Sequence, residues 1–81
     1  MYYVYVLQSQ KTNKLYIGYT EDLRRRFQEH NTSRSLSTKS DQPWQLVYYE
    51  AFFKKEYACR REKALKDFGR AYGQLKKRIG L

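Results

Sequence analysis

The chain opens on an apolar run, Tyr2 to Gln8, that is β-branched and aromatic and holds no Gly or Pro. That pattern predicts a strand, with Tyr3, Tyr5 and Leu7 on one face and Tyr2, Val4 and Val6 on the other. A polar break, Ser9-Gln10-Lys11-Thr12-Asn13, separates it from a second run, Lys14-Leu15-Tyr16-Ile17-Gly18-Tyr19, and the pair reads as a hairpin. A four-residue loop over 9 to 12 sets Tyr5 opposite Tyr16 and Tyr3 opposite Gly18. The face formed by Val4, Val6, Leu15 and Ile17 is apolar and is expected to pack on a helix.

Thr20 followed by Glu21 and Asp22 suits a helix start, so a helix is expected from about Glu21 to His30 or Asn31. At 100° per residue, Leu23, Phe27, His30 and Arg26 fall in one sector, whereas Arg24 and Arg25 point to solvent. Asn31 to Gln42, rich in Ser, Thr, Asn and Asp, reads as a loop. Trp44 to Phe53 is strongly β-prone and reads as a third strand. From Lys55 to about Phe68 the pattern turns helical, with Tyr57, Ala58, Ala64, Leu65 and Phe68 on one face and Glu62 at its margin. Gly69 is expected to close that helix. A last helix, roughly Arg70 to Ile79, carries Tyr72, Leu75 and Ile79. The expected fold is a single α+β domain over 1–81, a three-stranded antiparallel sheet flanked by helices in the order β-β-α-β-α-α.

Composition limits what such a domain does. Only seventeen of 81 residues are Leu, Ile, Val or Phe, so the nine tyrosines and one tryptophan must share the core. A core this small leaves no room for a large enclosed ligand pocket, and the functional surface should be open. No apolar run approaches the roughly 18 residues of a membrane span, and the amino terminus lacks a basic, cleavable leader, so the expected location is cytoplasmic. One Cys, Cys59, and one His, His30, cannot build a structural zinc site. None of the four glycines sits in a phosphate-cradling loop. The formal net charge is +9, and residues 54–81 contribute +7 of it. An excess this large beside so many aromatics points to a polyanion, most naturally nucleic acid.

The chain resembles the GIY-YIG nuclease superfamily in three places. These are Tyr3-Val4-Tyr5 followed after ten residues by Tyr16-Ile17-Gly18, then Arg26-Phe27-Gln28-Glu29-His30-Asn31, then Arg61-Glu62-Lys63-Ala64-Leu65-Lys66. In this order and spacing they cover nearly the whole chain and look like the small stand-alone bacterial branch, similar to the excinuclease amino-terminal domain. Tyr3 stands where the superfamily name has Gly, while the closing tyrosine is kept as Tyr5. Gln74 is a candidate for the amide that many members set against the phosphate, without a secure alignment.

The resemblance implies metal-dependent hydrolysis of DNA phosphodiester bonds, structure-selective rather than sequence-specific, in repair or processing. Glu62 would hold one Mg²⁺ or Mn²⁺, which is chemically sufficient because Mg²⁺ keeps several waters and takes further ligands from phosphate. Arg26 would contact the phosphate, His30 would position water or relay a proton, and Tyr5 or Tyr16 would be the general base. A phenol at pKa near 10 is about one part in a thousand ionised at pH 7, a cost of roughly 4 kcal/mol that nearby cations would lower. Arg24, Arg25, Arg34, Lys39, Arg61, Lys63, Lys66 and Arg70 would hold the nucleic-acid backbone. The alternative is a non-catalytic nucleic-acid-binding module with the same fold and basic surface. A partner protein supplying specificity, and a homodimer, are left open. On the residues alone, Tyr5 and Tyr16 would be packing partners and Glu62 would pair with Lys66.

Overall fold

The computed structural model describes residues 1–32 and 36–81. Strands β1 (Tyr2–Ser9), β2 (Leu15–Thr20) and β3 (Trp44–Phe52) form one antiparallel sheet in the order β2-β1-β3. Helices α1 (Leu23–Asn31), α2 (Lys55–Lys66) and α3 (Arg70–Arg78) complete the order β-β-α-β-α-α, an α+β fold. Among the described residues no helix is long and apolar enough to cross a membrane.

β1 is the centre of the sheet and is covered on both faces, which is why Val4, Tyr5, Val6 and Leu7 are all buried. Val4, Val6 and Ile17 pack with Ala58 and Leu65 of α2 and Leu75 of α3. On the other face Tyr5, Leu7 and Trp44 pack with Tyr16, Leu46 and the α1 residues Leu23 and Phe27. The molecule therefore has three layers, with α1 on one side and α2 and α3 on the other. A bulge places both Val47 and Tyr48 on the α2 side, since Val6 opposes Tyr48 while Leu7 opposes Leu46.

The hairpin register differs from the expected one by two residues. Tyr5 lies opposite Gly18, Tyr3 opposite Thr20 and Tyr16 opposite Leu7. The loop is four residues long but begins one residue later, because the Ser9 N–H still donates to the Lys14 carbonyl at 2.9 Å. The Ser9 hydroxyl accepts from the Lys11 and Thr12 N–H groups, and Asn13 takes the left-handed backbone (φ 62°) that closes the turn. A slip of two preserves the faces, so the expected apolar face survives while the cross-strand partners change.

Other boundaries shift for local reasons. α1 starts at Leu23 rather than Glu21, because Asp22 is the residue whose side chain accepts the Arg25 N–H. Thr20 caps one step earlier, its hydroxyl accepting the Asp22 N–H at 3.1 Å. The expected loop contains a 3₁₀ helix, Leu36–Asp41. α2 ends with Phe68 in the left-handed region (φ 57°), the role expected of Gly69, and Gly69 instead precedes α3. The predicted apolar face of α2 is narrower than expected: Ala58 and Leu65 are buried, whereas Tyr57, Ala64 and Phe68 are exposed.

α2 is clasped to β3 by a bidentate ion pair. Arg61 Nε and Nη2 donate to Glu50 at 2.9 and 3.0 Å, the Tyr48 hydroxyl donates to the same carboxylate at 2.6 Å, and Arg78 of α3 donates to the Tyr48 oxygen. Glu50 has its pKa lowered: burial opposes ionisation, but the Arg61 and Tyr48 hydrogen bonds outweigh it. Glu50→Ala is expected to cost about 2 kcal/mol, read from urea unfolding at pH 7, because it strands a half-buried guanidinium. An unchanged midpoint would mean the clasp is a solvated surface pair.

Candidate active site

The Tyr5 phenol, 1% exposed, lies over Gly18, directly opposite on β2. A Cβ at Gly18 would collide with the Tyr5 hydroxyl and ring, so glycine is what lets the phenol reach across the sheet. There the hydroxyl meets Nε2 of His30 at 2.9 Å. His30, fully buried, faces Thr38 Oγ1 with its other nitrogen at 2.8 Å.

Several contacts hold His30 in place. Gln42 Nε2 donates to the His30 carbonyl at 2.6 Å, and Asn31 pairs with the Trp44 backbone through both its amide atoms, at 2.9 and 2.6 Å. Trp44 Nε1 donates to the Thr38 carbonyl at 2.8 Å, which fixes the residue behind the imidazole. The end of α1, the 3₁₀ helix and the start of β3 are thus locked around one ring.

Tyr16, only partly buried, stands with its ring 4.7 Å from that of His30 and 6.3 Å from that of Tyr5. Arg26, one turn before His30, is oriented by Glu29 at 3.0 Å and keeps part of its guanidinium in solvent. Burial works against its charge, but Glu29 and the two phenols raise its pKa. Glu62 comes from α2, on the other side of the sheet, yet its charge is felt at the Tyr5 hydroxyl. Its carboxylate pairs with Lys66 at 3.2 Å.

The ionisation states follow from burial. Tyr5 is pushed up to about 12 by burial and by Tyr16, with Arg26 pulling the other way. His30 is pushed down to about 4 by burial and by the Arg26 charge, against a smaller pull from Glu29. At neutral pH both are therefore uncharged. A neutral imidazole between two hydroxyls has two complete arrangements: Tyr5 donates to Nε2 while Nδ1–H donates to Thr38, or Thr38 donates to Nδ1 while Nε2–H donates to Tyr5. Either tautomer pairs both ring nitrogens, and the two differ in which hydroxyl donates to the ring.

Among the described residues no three His, Cys, Asp or Glu side chains cluster as metal ligands. Glu62 is the acid whose charge acts on both Tyr5 and Tyr19, and the Tyr19 hydroxyl is occluded and without a hydrogen-bond partner among the described residues. Tyr19 has its pKa raised by its desolvation first and then by Glu21, with Cys59, Tyr2 and Glu62 also contributing. A single carboxylate such as Glu62 would suit a hard ion that keeps most of its water, such as Mg²⁺ or Mn²⁺.

Of the expected backbone-binding residues, Arg24, Arg25, Lys39, Lys63, Lys66 and Arg70 are exposed. Arg61 is occupied by Glu50, and Arg34 lies outside the described residues. Gln74 is exposed on α3. Sequence reasoning missed Thr38, whose polar loop gives no signal, and Glu29, which its i+3 spacing from Arg26 could have flagged.

The chain that gathers a phenol pair, an arginine and a histidine on a hairpin and the helix after it matches the GIY-YIG catalytic domain. Residues 1–78 match that family, and the chain belongs to it. Its relatives are small proteins of similar length. It is 41% identical over 70 residues to a UPF0213 protein of Staphylococcus haemolyticus, covering 85% of this chain and 84% of the other. A UPF0213 protein of Haloquadratum walsbyi is 37% identical over 70 residues, covering 85% and 78%. The solution NMR structure of a UPF0213 protein from Bacillus halodurans superposes with a TM-score of 0.59 at 31% identity, covering 98% of this chain and 85% of that one.

Proposed function

We propose that the protein is a metal-dependent endonuclease that hydrolyses DNA phosphodiester bonds in the cytoplasm. It selects its substrate by structure rather than by sequence, in repair or processing. The observation that supports this most is the convergence of Tyr5, Tyr16, Arg26 and His30 within one set of contacts, with the charge of Glu62 acting on the same hydroxyl.

Arg26 is the phosphate contact: its Glu29 pairing leaves a planar, permanently charged fork partly in solvent. Tyr16 is the phenol nearest the substrate, because Tyr5 is enclosed. Tyr5 and His30 form an uncharged row behind it, and the Tyr16 ring is set against the His30 imidazole. Glu62 holds the Mg²⁺ or Mn²⁺, and a bound ion of this kind neutralises phosphate charge and makes water more acidic. The exposed Arg24, Arg25, Lys39, Lys63, Lys66 and Arg70 hold the duplex backbone, and a bare domain of this size relies on DNA shape, or on a partner protein, for selection.

The second reading is a nucleic-acid-binding module without catalysis. It is favoured by the Glu62–Lys66 pair and by the uncharged resting state of Tyr5 and His30. The two part company on one experiment. With Mg²⁺ or Mn²⁺ the purified protein is expected to nick plasmid or cut branched DNA, and EDTA to stop it. Glu62→Gln and Arg26→Ala are each expected to slow cleavage roughly a hundredfold, and Glu62→Gln to bind DNA normally. If no DNA or RNA form is ever cut while binding is intact, the module reading replaces the enzyme.

A further inference from the structure

The side of α2 turned away from Glu62 carries an apolar groove that the core does not use. At 100° per residue Tyr57, Arg60 and Ala64 share one sector, about 140° or more from Glu62. With Phe52 and Arg61 they line a groove of about 540 Å³. Tyr57 is 48% exposed and Phe53, next to Phe52, is 82% exposed. The Arg60 guanidinium stands over the Tyr57 ring at 5.4 Å. Lys54 and Lys55 follow Phe53 at the start of α2, so three exposed cations and a single acid, Glu56, lie along the first turns of the helix that carries Tyr57.

An apolar protein face would gain nothing from those cations, and a duplex keeps its base faces stacked on one another. A single strand offers both bare ring faces and phosphates. We infer that this groove, with the exposed Phe53 that precedes α2, takes the unpaired bases of single-stranded nucleic acid, stacked on Tyr57 and Phe53, with Lys54, Lys55 and Arg60 on the phosphates. The inference rests on the nuclease reading and gives its structure selectivity a physical basis. A loose strand lies on one side of α2 while the scissile phosphate lies on the other, beside Glu62, so the helix straddles a junction between single and double strand.

The test compares a short single-stranded DNA with a duplex of the same sequence, each titrated by fluorescence anisotropy against the native protein and Phe53→Ala/Tyr57→Ala. Both rings are at the surface, so the variant should fold, and its melting curve verifies that. Single-strand affinity is expected to fall about tenfold or more while duplex affinity changes less than twofold. A 2-aminopurine in the single strand should be quenched by the native protein and not by the variant. Unchanged single-strand affinity, with duplex binding intact, overturns the groove and leaves the nuclease reading standing. A native protein that binds neither DNA overturns both. A native dimer that the substitutions convert to monomer, seen by sedimentation, overturns it in favour of a contact between copies.

Discussion

Gly18→Ala is expected to cost about 3 kcal/mol of stability and to slow cleavage roughly a hundredfold. The added methyl would occupy the volume of the Tyr5 hydroxyl and ring. A tyrosine tip could swing aside at an exposed site, but this one is enclosed and tied to His30. Moving it either breaks that hydrogen bond or pushes His30 against Thr38. Urea unfolding and a nicking assay read the two losses separately. A double change, Gly18→Ala with Tyr5→Leu, should recover part of the stability and none of the cleavage, because the clash is relieved and the phenol is gone. Native stability and native cleavage in Gly18→Ala would show that Tyr5 does not need the space.

Stability is expected to fall on mild acidification because of one residue. The imidazole of His30 titrates near 6.5 in the unfolded chain and near 4 in the folded protein. Above pH 6.5 neither state binds the proton and there is no penalty. As the pH falls from 6.5 towards 4, the unfolded chain gains a proton that the folded protein refuses, so folding weakens. The full effect is about 3 kcal/mol, of which about 2 kcal/mol is lost by pH 5. Glu50, whose folded pKa is depressed, loses its contribution only at lower pH, below the ordinary carboxylate value of 4.5. Urea midpoints at pH 7.5 and 5 should therefore differ strongly for the native protein and little for His30→Gln. A native profile flat across that range would mean that His30 takes up its proton while folded.

The hairpin, the apolar face on Val4, Val6 and Ile17, and the gathering of Arg26 with His30 were legible because each follows from a local period. The register was not, because it depends on which residue leaves the strand last, and the Ser9 hydroxyl decides that through two loop N–H groups. The meaning of Gly18 changed with it, from an open space beside two tyrosines to the seat of Tyr5 itself. Thr38 was out of reach for a similar reason. Its place behind His30 is set by the Trp44 indole, six residues further on and in another element. The wide apolar stripe expected on α2 resolved into a narrow buried line and an exposed aromatic groove, a distinction that depends on how far the neighbouring strand extends.

Glu62 stands on the layer opposite α1, a layer seated on the sheet by Ala58, Leu65 and Leu75 and clasped to β3 by the Glu50–Arg61 pair. On the nuclease reading the proposed centre therefore needs both layers seated. On that reading, a chain melted or nicked in α2 keeps Arg24, Arg25 and Arg26 on α1 but has no complete centre. For a nuclease built this way the architecture would act as an interlock, since a misfolded copy would lack the complete centre.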